Sequence, residues 1–347
     1  MVFCLYFSLK RSYFCAMKKN IFPFFLTLVI LLACQPNSDV HSEWIAIDSL
    51  CVANPEQAIS QLEQMALKVN SKDEWAWHRW QLLRIKAQDK ADRPLTTDSI
   101  IKTVVSYFDK SGSADERIEA YYYLGRTYHE LYDTPRAVTA YLTAIELSEK
   151  NGIPDERLFT NCTSQLSGLF IRLGNPRAAI DIALKGYRVA KTRNILDPIL
   201  IMDVGSGYKW LYMKDSTEYY FDEALKDICK THSEYEYVGC LCEICSYYAY
   251  YRNHEKASLY MQIINTVPVE YWERNFTTNK ATYFEAFGPM DSAIYYNTLE
   301  LKNTANLDQI NSAARSLMEI YRVLGNYEQS SYYAHMYSET NESILVT

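Results

Sequence analysis

Six aromatic residues, Tyr128, Phe170, Tyr208, Tyr248, Phe284 and Tyr321, recur 42, 38, 40, 36 and 37 residues apart, each in a similar frame of small and apolar neighbours. A period of roughly 20–50 residues constrains a fold more than any local motif, because each unit buries its apolar face only by stacking on the next. The sharpest copy is EAYYYLGRTYHELYDTPRAVTAYLTAIELSEK, Glu119 to Lys150. There Leu124 and Gly125 precede Tyr128, and Ala137, Tyr141 and Ala144 follow at helical spacing. This predicts two antiparallel helices, with small side chains at their closest approach and a large one plugging the gap. Weaker copies carry Ser167, Gly174 and Ala179 around Phe170, then Gly205, Phe221 and Ala224 around Tyr208. Cys245 and Ala257 frame Tyr248, Ala281, Gly288 and Ala293 frame Phe284, and Leu317, Gly325 and Ser330 frame Tyr321.

Helix boundary signals agree with this frame. Asn54-Pro55, Thr134-Pro135 and Asn175-Pro176 each place a capping side chain before a proline at the first helical position, where its missing N–H costs nothing. The first of these implies a degenerate repeat over residues 41–68, and two more helices are expected at Asp73–Gln88 and Asp98–Phe108. Trp75, Trp77 and Trp80 lie on the former and are expected to pack the array. Only 11 Gly and 10 Pro occur in 347 residues, against 30 Tyr, which favours helices over turns and strands. A net charge of −7 without a basic block argues against a nucleic-acid partner.

The Leu124-Gly125…Tyr128…Ala137…Tyr141…Ala144 skeleton resembles the tetratricopeptide repeat (TPR). The resemblance implies an all-α fold, a TPR-type α-solenoid, with degenerate helical repeats over residues 41–115 and about six TPR-like repeats over 116–347. In that family the first helices of successive pairs line a concave face where ligands lie. Carried onto this chain, the face would present Tyr122, Arg126, His129, Arg172, Lys209, Trp210, Tyr250, Glu285, Arg315 and Arg322. Aromatics and arginines are the residue types that concentrate binding energy at interfaces. RPLTTDSIIKTVVSYFDKSG ahead of AYYYLGRTYHELYD is also similar to envelope TPR proteins of Gram-negative anaerobes. Some of those continue into a transmembrane helix and a DNA-binding module; with the sequence stopping at Thr347, no such module is expected here.

The N-terminal stretch reads as an address. Met17-Lys18-Lys19-Asn20 is a basic n-region, and the uncharged run from Ile21 to Ala33 is too short to span a bilayer. Leu31-Leu32-Ala33-Cys34 resembles the lipobox of bacterial lipoproteins, which implies lipid attachment at Cys34. Residues 1–33 are therefore expected to be an upstream extension plus signal peptide, with translation starting at Met17, and residues 34–40 a lipidated tether. Gln35 stands where an aspartate would favour inner-membrane retention, so the expected location is the outer membrane, facing either side.

Within YVGCLCEICSYYAYY, Tyr237 to Tyr251, Cys240, Cys242 and Cys245 spread around one helix and do not converge as zinc ligands would. Cys245 sits in the small-residue slot that Gly125 and Gly205 occupy, where a thiol acts as a small hydrophobe. A disulfide between Cys229 and Cys240 across the turn near Thr231 is a competing expectation in an oxidising compartment. No phosphate loop, zinc-protease or nucleophile-elbow motif is found. The expectation is a non-catalytic, lipid-anchored envelope scaffold without cofactor or metal, binding an unidentified envelope protein or peptide. The alternatives are a glycan-binding outer-membrane lipoprotein and a cysteine-based metal or redox protein.

Overall fold

The computed structural model describes residues 38–67, 69, 72–195, 197–231, 234–267 and 277–346. Cys34, the signal-like stretch before it and the start of the tether lie outside those residues. The chain divides into two units, residues 1–46 and 47–347, and the helix array from Pro55 onward lies in the second. No strand occurs among the described residues, and no helix there is long and apolar enough to cross a membrane.

Helices α1 (Ser38–Ala53), α2 (Pro55–Met65), α3 (Glu74–Lys90) and α4 (Ser99–Ser111) precede six helix pairs. The pairs are α5 (Ala114–Glu130) with α6 (Thr134–Lys150), α7 (Glu156–Arg172) with α8 (Pro176–Thr192), and α9 (Pro198–Trp210) with α10 (Lys214–Thr231). They continue with α11 (Glu234–Tyr250) and α12 (His254–Ile264), α13 (Thr277–Phe287) and α14 (Met290–Asn303), and α15 (Leu307–Val323) and α16 (Tyr327–Val346). Each recurring aromatic falls in the last turn or so of the first helix of a pair.

Counting from that aromatic as position 0, every pair turns by the same device. The residue at position +4 has a left-handed backbone: Tyr132, Gly174, Tyr212, Arg252, Gly288 and Gly325, with φ between 56° and 73°. In every pair but α13/α14, where Pro289 follows and has no N–H, the next N–H then donates back to the carbonyl of position 0, as from Asp133 to Tyr128 at 2.9 Å, Asn175 to Phe170 at 2.8 Å and Asn253 to Tyr248 at 2.9 Å. This satisfies carbonyls that a helix end otherwise leaves open. Glycine takes that conformation freely, whereas at Tyr132, Tyr212 and Arg252 it costs about 1–2 kcal/mol each. The residue at +5 starts the second helix: Asp133, Asn175 and Asn253 accept from the backbone N–H three residues on. Asp133, rather than the expected Thr134, is the cap of α6, which shifts that boundary by one residue; Asn54 and Asn175 cap as expected.

Close approach explains the small position. A Cβ on Gly125 would stand 2.7 Å from the Tyr141 ring, and one on Gly205 2.6 Å from Phe221. Where the slot holds a polar atom instead, that atom bonds across the pair: Ser167 Oγ donates to the Ala179 carbonyl at 3.1 Å, and Cys245 Sγ to the Ala257 carbonyl at 3.4 Å. The other cysteines divide as the helix geometry dictates. Cys242 and Cys245 pack with Val238, Leu241, Met261 and Ile264, while Cys240 packs with Ile201, Phe221, Ile244 and Tyr247. Cys51, Cys162, Cys242 and Cys245 are buried thiols, and burial pushes the Cys51 and Cys245 groups up to about 12. The side chain of Cys229 lies outside the described residues, and with it the expected Cys229–Cys240 bridge.

Candidate functional site

Four first helices, α7, α9, α11 and α13, carry an amide or carboxylate at position −5: Gln165, Asp203, Glu243 and Asn279. Each is met by a side chain of the preceding first helix. Arg126 Nη1 donates to Gln165 Oε1 at 3.3 Å, and Ser164 Oγ to Asp203 Oδ2 at 2.6 Å. Lys209 pairs with Glu243, and Ser246 Oγ lies 2.5 Å from Asn279 Oδ1. The face expected to hold ligand is thus partly taken up by bonds that stitch one repeat to the next.

The expected site residues divide accordingly. Tyr122 is a correction: it is buried, its ring edge-on to Tyr123 at 4.9 Å and tilted against Tyr141 at 6.0 Å, so it belongs to the core and offers nothing to a ligand. Arg126 is held by Asp89 at 2.6 Å and by Glu130 at 2.9 Å as well as by Gln165. His129 lies against this cluster with Nδ1 unbonded; burial and the charges of Arg126 and Arg172 lower its pKa to about 4, so it stays neutral. Glu285 accepts from Asn297 Nδ2 at 2.8 Å, and Arg322 pairs with Glu319 on its own helix at 2.7 Å. Arg315 is exposed. Trp210 and Tyr250 keep 55% and 68% of their surface open, the largest apolar areas among the expected residues.

Arg172 has a role that its place in the repeat does not signal. It forms an ion pair with Asp308 at the start of α15 and lies 5.5 Å over the Tyr132 ring, whose hydroxyl accepts from the Leu307 N–H at 2.7 Å. A polar clasp therefore joins the turn after α5 and the end of α7 to a segment some 175 residues further along.

Between α7, α9 and α11 lies a cavity of about 360 Å³. Ile171, Ile199 and Met202 supply apolar wall, Ser206, Asp203, Lys209 and Glu243 the polar wall, and Trp210 an aromatic one. Lys209 and Trp210 were expected on this face, whereas Asp203 and Glu243 were not, although the −5 column repeats in the sequence, because on one helix alone it reads as a solvated acid. Lys209, with Ser206 assisting and against the effect of burial, draws the Glu243 carboxyl below its usual range. Burial, with Asp197 and Glu243 adding to it, pushes the Asp203 carboxyl up to about 7 despite the Ser164 hydrogen bond.

No family model matches the chain, and no curated protein does. Solved structures do. The apo form of RapI superimposes with a TM-score of 0.63 at 14% identity, covering 78% of this chain and 99% of that one. Aspartyl phosphate phosphatase F from Bacillus subtilis gives 0.60 at 14%, covering 89% and 85%. A Rap protein complexed with competence and sporulation factor gives 0.57 at 12%, covering 89% and 99%. At such identities the likeness is one of fold, and with the repeat geometry it makes this chain a TPR-type α-solenoid.

Proposed function

We propose that the chain is a non-catalytic adaptor, anchored to the envelope by lipid at Cys34, that holds an extended peptide or partner segment against the first-helix face. The observation that carries this reading is the cavity between α7, α9 and α11, which opens beside Trp210 on a face partly taken up by repeat-to-repeat bonds. Apolar wall with a few placed polar groups is what a side-chain pocket requires. A protein of the same fold occurs in complex with the competence and sporulation factor, which accords with ligand capture by such an array. A photo-reactive residue at Ser206 tests the reading in cells: partner adducts are expected from that position and not from Tyr295 on α14, and adducts from Tyr295 alone would overturn it. Anchoring is tested separately, since Cys34→Ala should shift the protein from the membrane to the soluble fraction or leave it as precursor. Unchanged membrane recovery would remove the lipid from the account.

The glycan reading keeps one supporting observation. Tyr212, Tyr250 and Tyr327, at or near the turns of three different pairs, are 72%, 68% and 73% exposed. Aromatic faces of this kind suit sugar rings, and retardation in polysaccharide gels would favour that reading.

A further inference from the structure

The four −5 residues differ in what meets them. Glu243, a carboxylate, receives a lysine; Gln165 and Asn279, both neutral, receive an arginine and a serine. Asp203 is the exception: a carboxylate on the cavity wall whose hydrogen-bond donor is the Ser164 hydroxyl, with no ion pair to any cation among the described residues. Lys209, the cation lining the same cavity, is engaged by Glu243. The charged lining is thus two carboxylates against one ammonium, and a carboxylate partly withdrawn from water without a counter-ion is costly. Trp210 stands at the same cavity with half its surface open, and an indole face is the best aromatic partner for a cation.

We infer that this cavity is the socket for one basic side chain, arginine or lysine, of the bound peptide, with Asp203 as its counter-ion and Trp210 as its stacking wall. The inference rests on the peptide-binding reading and names the residue that reading leaves open. About 360 Å³ lies at the small end of ligand pockets and admits one long side chain rather than a folded surface. The titratable groups around Asp203 are Asp197 and Lys209 from the α9 segment, and Cys240 and Glu243 from α11; α7 contributes the Ser164 hydroxyl. Because the empty socket holds Asp203 protonated up to about pH 7, capture of a cation requires release of that proton below this value and none above it. Affinity is therefore flat in alkali and falls as pH drops, approaching about tenfold per unit.

Two probes separate the socket from the groove. N-acetyl-arginine amide and its uncharged isostere N-acetyl-citrulline amide are titrated against the full chain at pH 8.0 and pH 5.5, followed by ligand-observed NMR. The arginine probe should bind at least about tenfold more tightly than the citrulline probe at pH 8.0, lose that advantage at pH 5.5, and lose it at both pH values in Asp203→Asn. Equal binding of the two probes, or an arginine preference that survives Asp203→Asn, overturns the socket. The wild-type pH dependence decides the matter by itself should the variant misfold, and Trp210→Ala should weaken the arginine probe while leaving its pH slope in place. A positional library of N-acetylated decapeptides provides the second arm. Peptides that bind without enriching Arg or Lys at any position overturn the socket and leave the groove; no peptide binding alongside retained arginine-probe binding overturns the groove and leaves the socket.

Discussion

The two ends of the array solve one packing problem with different side chains. From α3 to α7 a single apolar core runs from Leu82 to Leu169, and the plugs Tyr128 and Phe170 have Ala140 and Ile182 twelve residues on. In the last four pairs that position is a tyrosine, and the plug stacks on it: Tyr208 on Tyr220 at 5.5 Å, Tyr248 on Tyr260 at 5.8 Å, Phe284 on Tyr296 at 5.6 Å and Tyr321 on Tyr333 at 5.7 Å. The interior thins only past α12, since α9 to α12 still bury Phe221, Ile228, Ile244 and Tyr247. Among the described residues from α13 to α16 the buried apolar ones are Ala281, Ala293, Ala313 and Ala314, with Leu317 and Ile320 for bulk. One end buries volume; α13 to α16 keep their stacked rings partly in water, where ring contacts add about 0.5–1.5 kcal/mol to modest area. The difference teaches that a repeat frame fixes where a side chain sits, not how much stability it supplies.

Truncating one second-helix tyrosine from each end should expose the contrast most strongly. Tyr141→Ala removes a fully buried ring from the first end and should cost about 3–5 kcal/mol. Tyr296→Ala, on a partly exposed ring of the other end, should cost about 1–2 kcal/mol. Chemical denaturation of both variants checks this, and equal losses would erase the distinction.

The first end also carries a charge network that reaches its interior. Glu119 accepts from Arg79 at 2.5 Å and from Lys86 at 2.8 Å, and both cations also reach Asp48. Burial alone would raise the Glu119 carboxyl, but Arg79 and Lys86 outweigh it and hold it down to about 2. A depressed acid stabilises the fold above its unfolded value and loses that stabilisation as pH falls through its folded value. Melting at pH 6 and pH 2.5 should therefore show a loss that Glu119→Gln does not share. Glu119→Ala at neutral pH should cost about 3 kcal/mol by leaving two partly buried cations to share Asp48.

Asp203 has the opposite sign and a smaller effect. Its folded value is raised, so it destabilises the native state increasingly as pH climbs from about 4 to about 7. Asp203→Asn should raise stability at pH 8 by roughly 1–2 kcal/mol and change little at pH 4. Identical melting shifts at the two pH values would contradict the desolvated carboxylate on which the socket depends. The clasp is worth least: Asp308→Asn breaks a part-exposed ion pair and should cost no more than about 1 kcal/mol. A larger loss would mean the clasp holds the array together.

The sequence told most about the pairs and least about the joints between them. Plug aromatics, small slots and two of the three expected caps were legible because each answers to contacts within about 20 residues. Tyr132, Tyr212 and Arg252 were not recognised as turn residues, since a left-handed backbone is signalled by glycine and these side chains hide it. Tyr122 was placed on the ligand face because its column is inward-facing elsewhere; here its ring turns into Tyr123 and Tyr141. The −5 column escaped because each of its residues is explained only by a partner one repeat earlier, and the clasp because its halves lie some 175 residues apart. Trp210 was placed on that face by the resemblance to the repeat family, and its ring is exposed.

Native-state hydrogen exchange, resolved by helix, tests the contrast most directly. Amides of α5 to α7 should exchange slowest, at the rate of global unfolding, while those of α13 to α16 open locally and faster. Uniform protection along the array, or the slowest exchange in α13 to α16, would contradict the account.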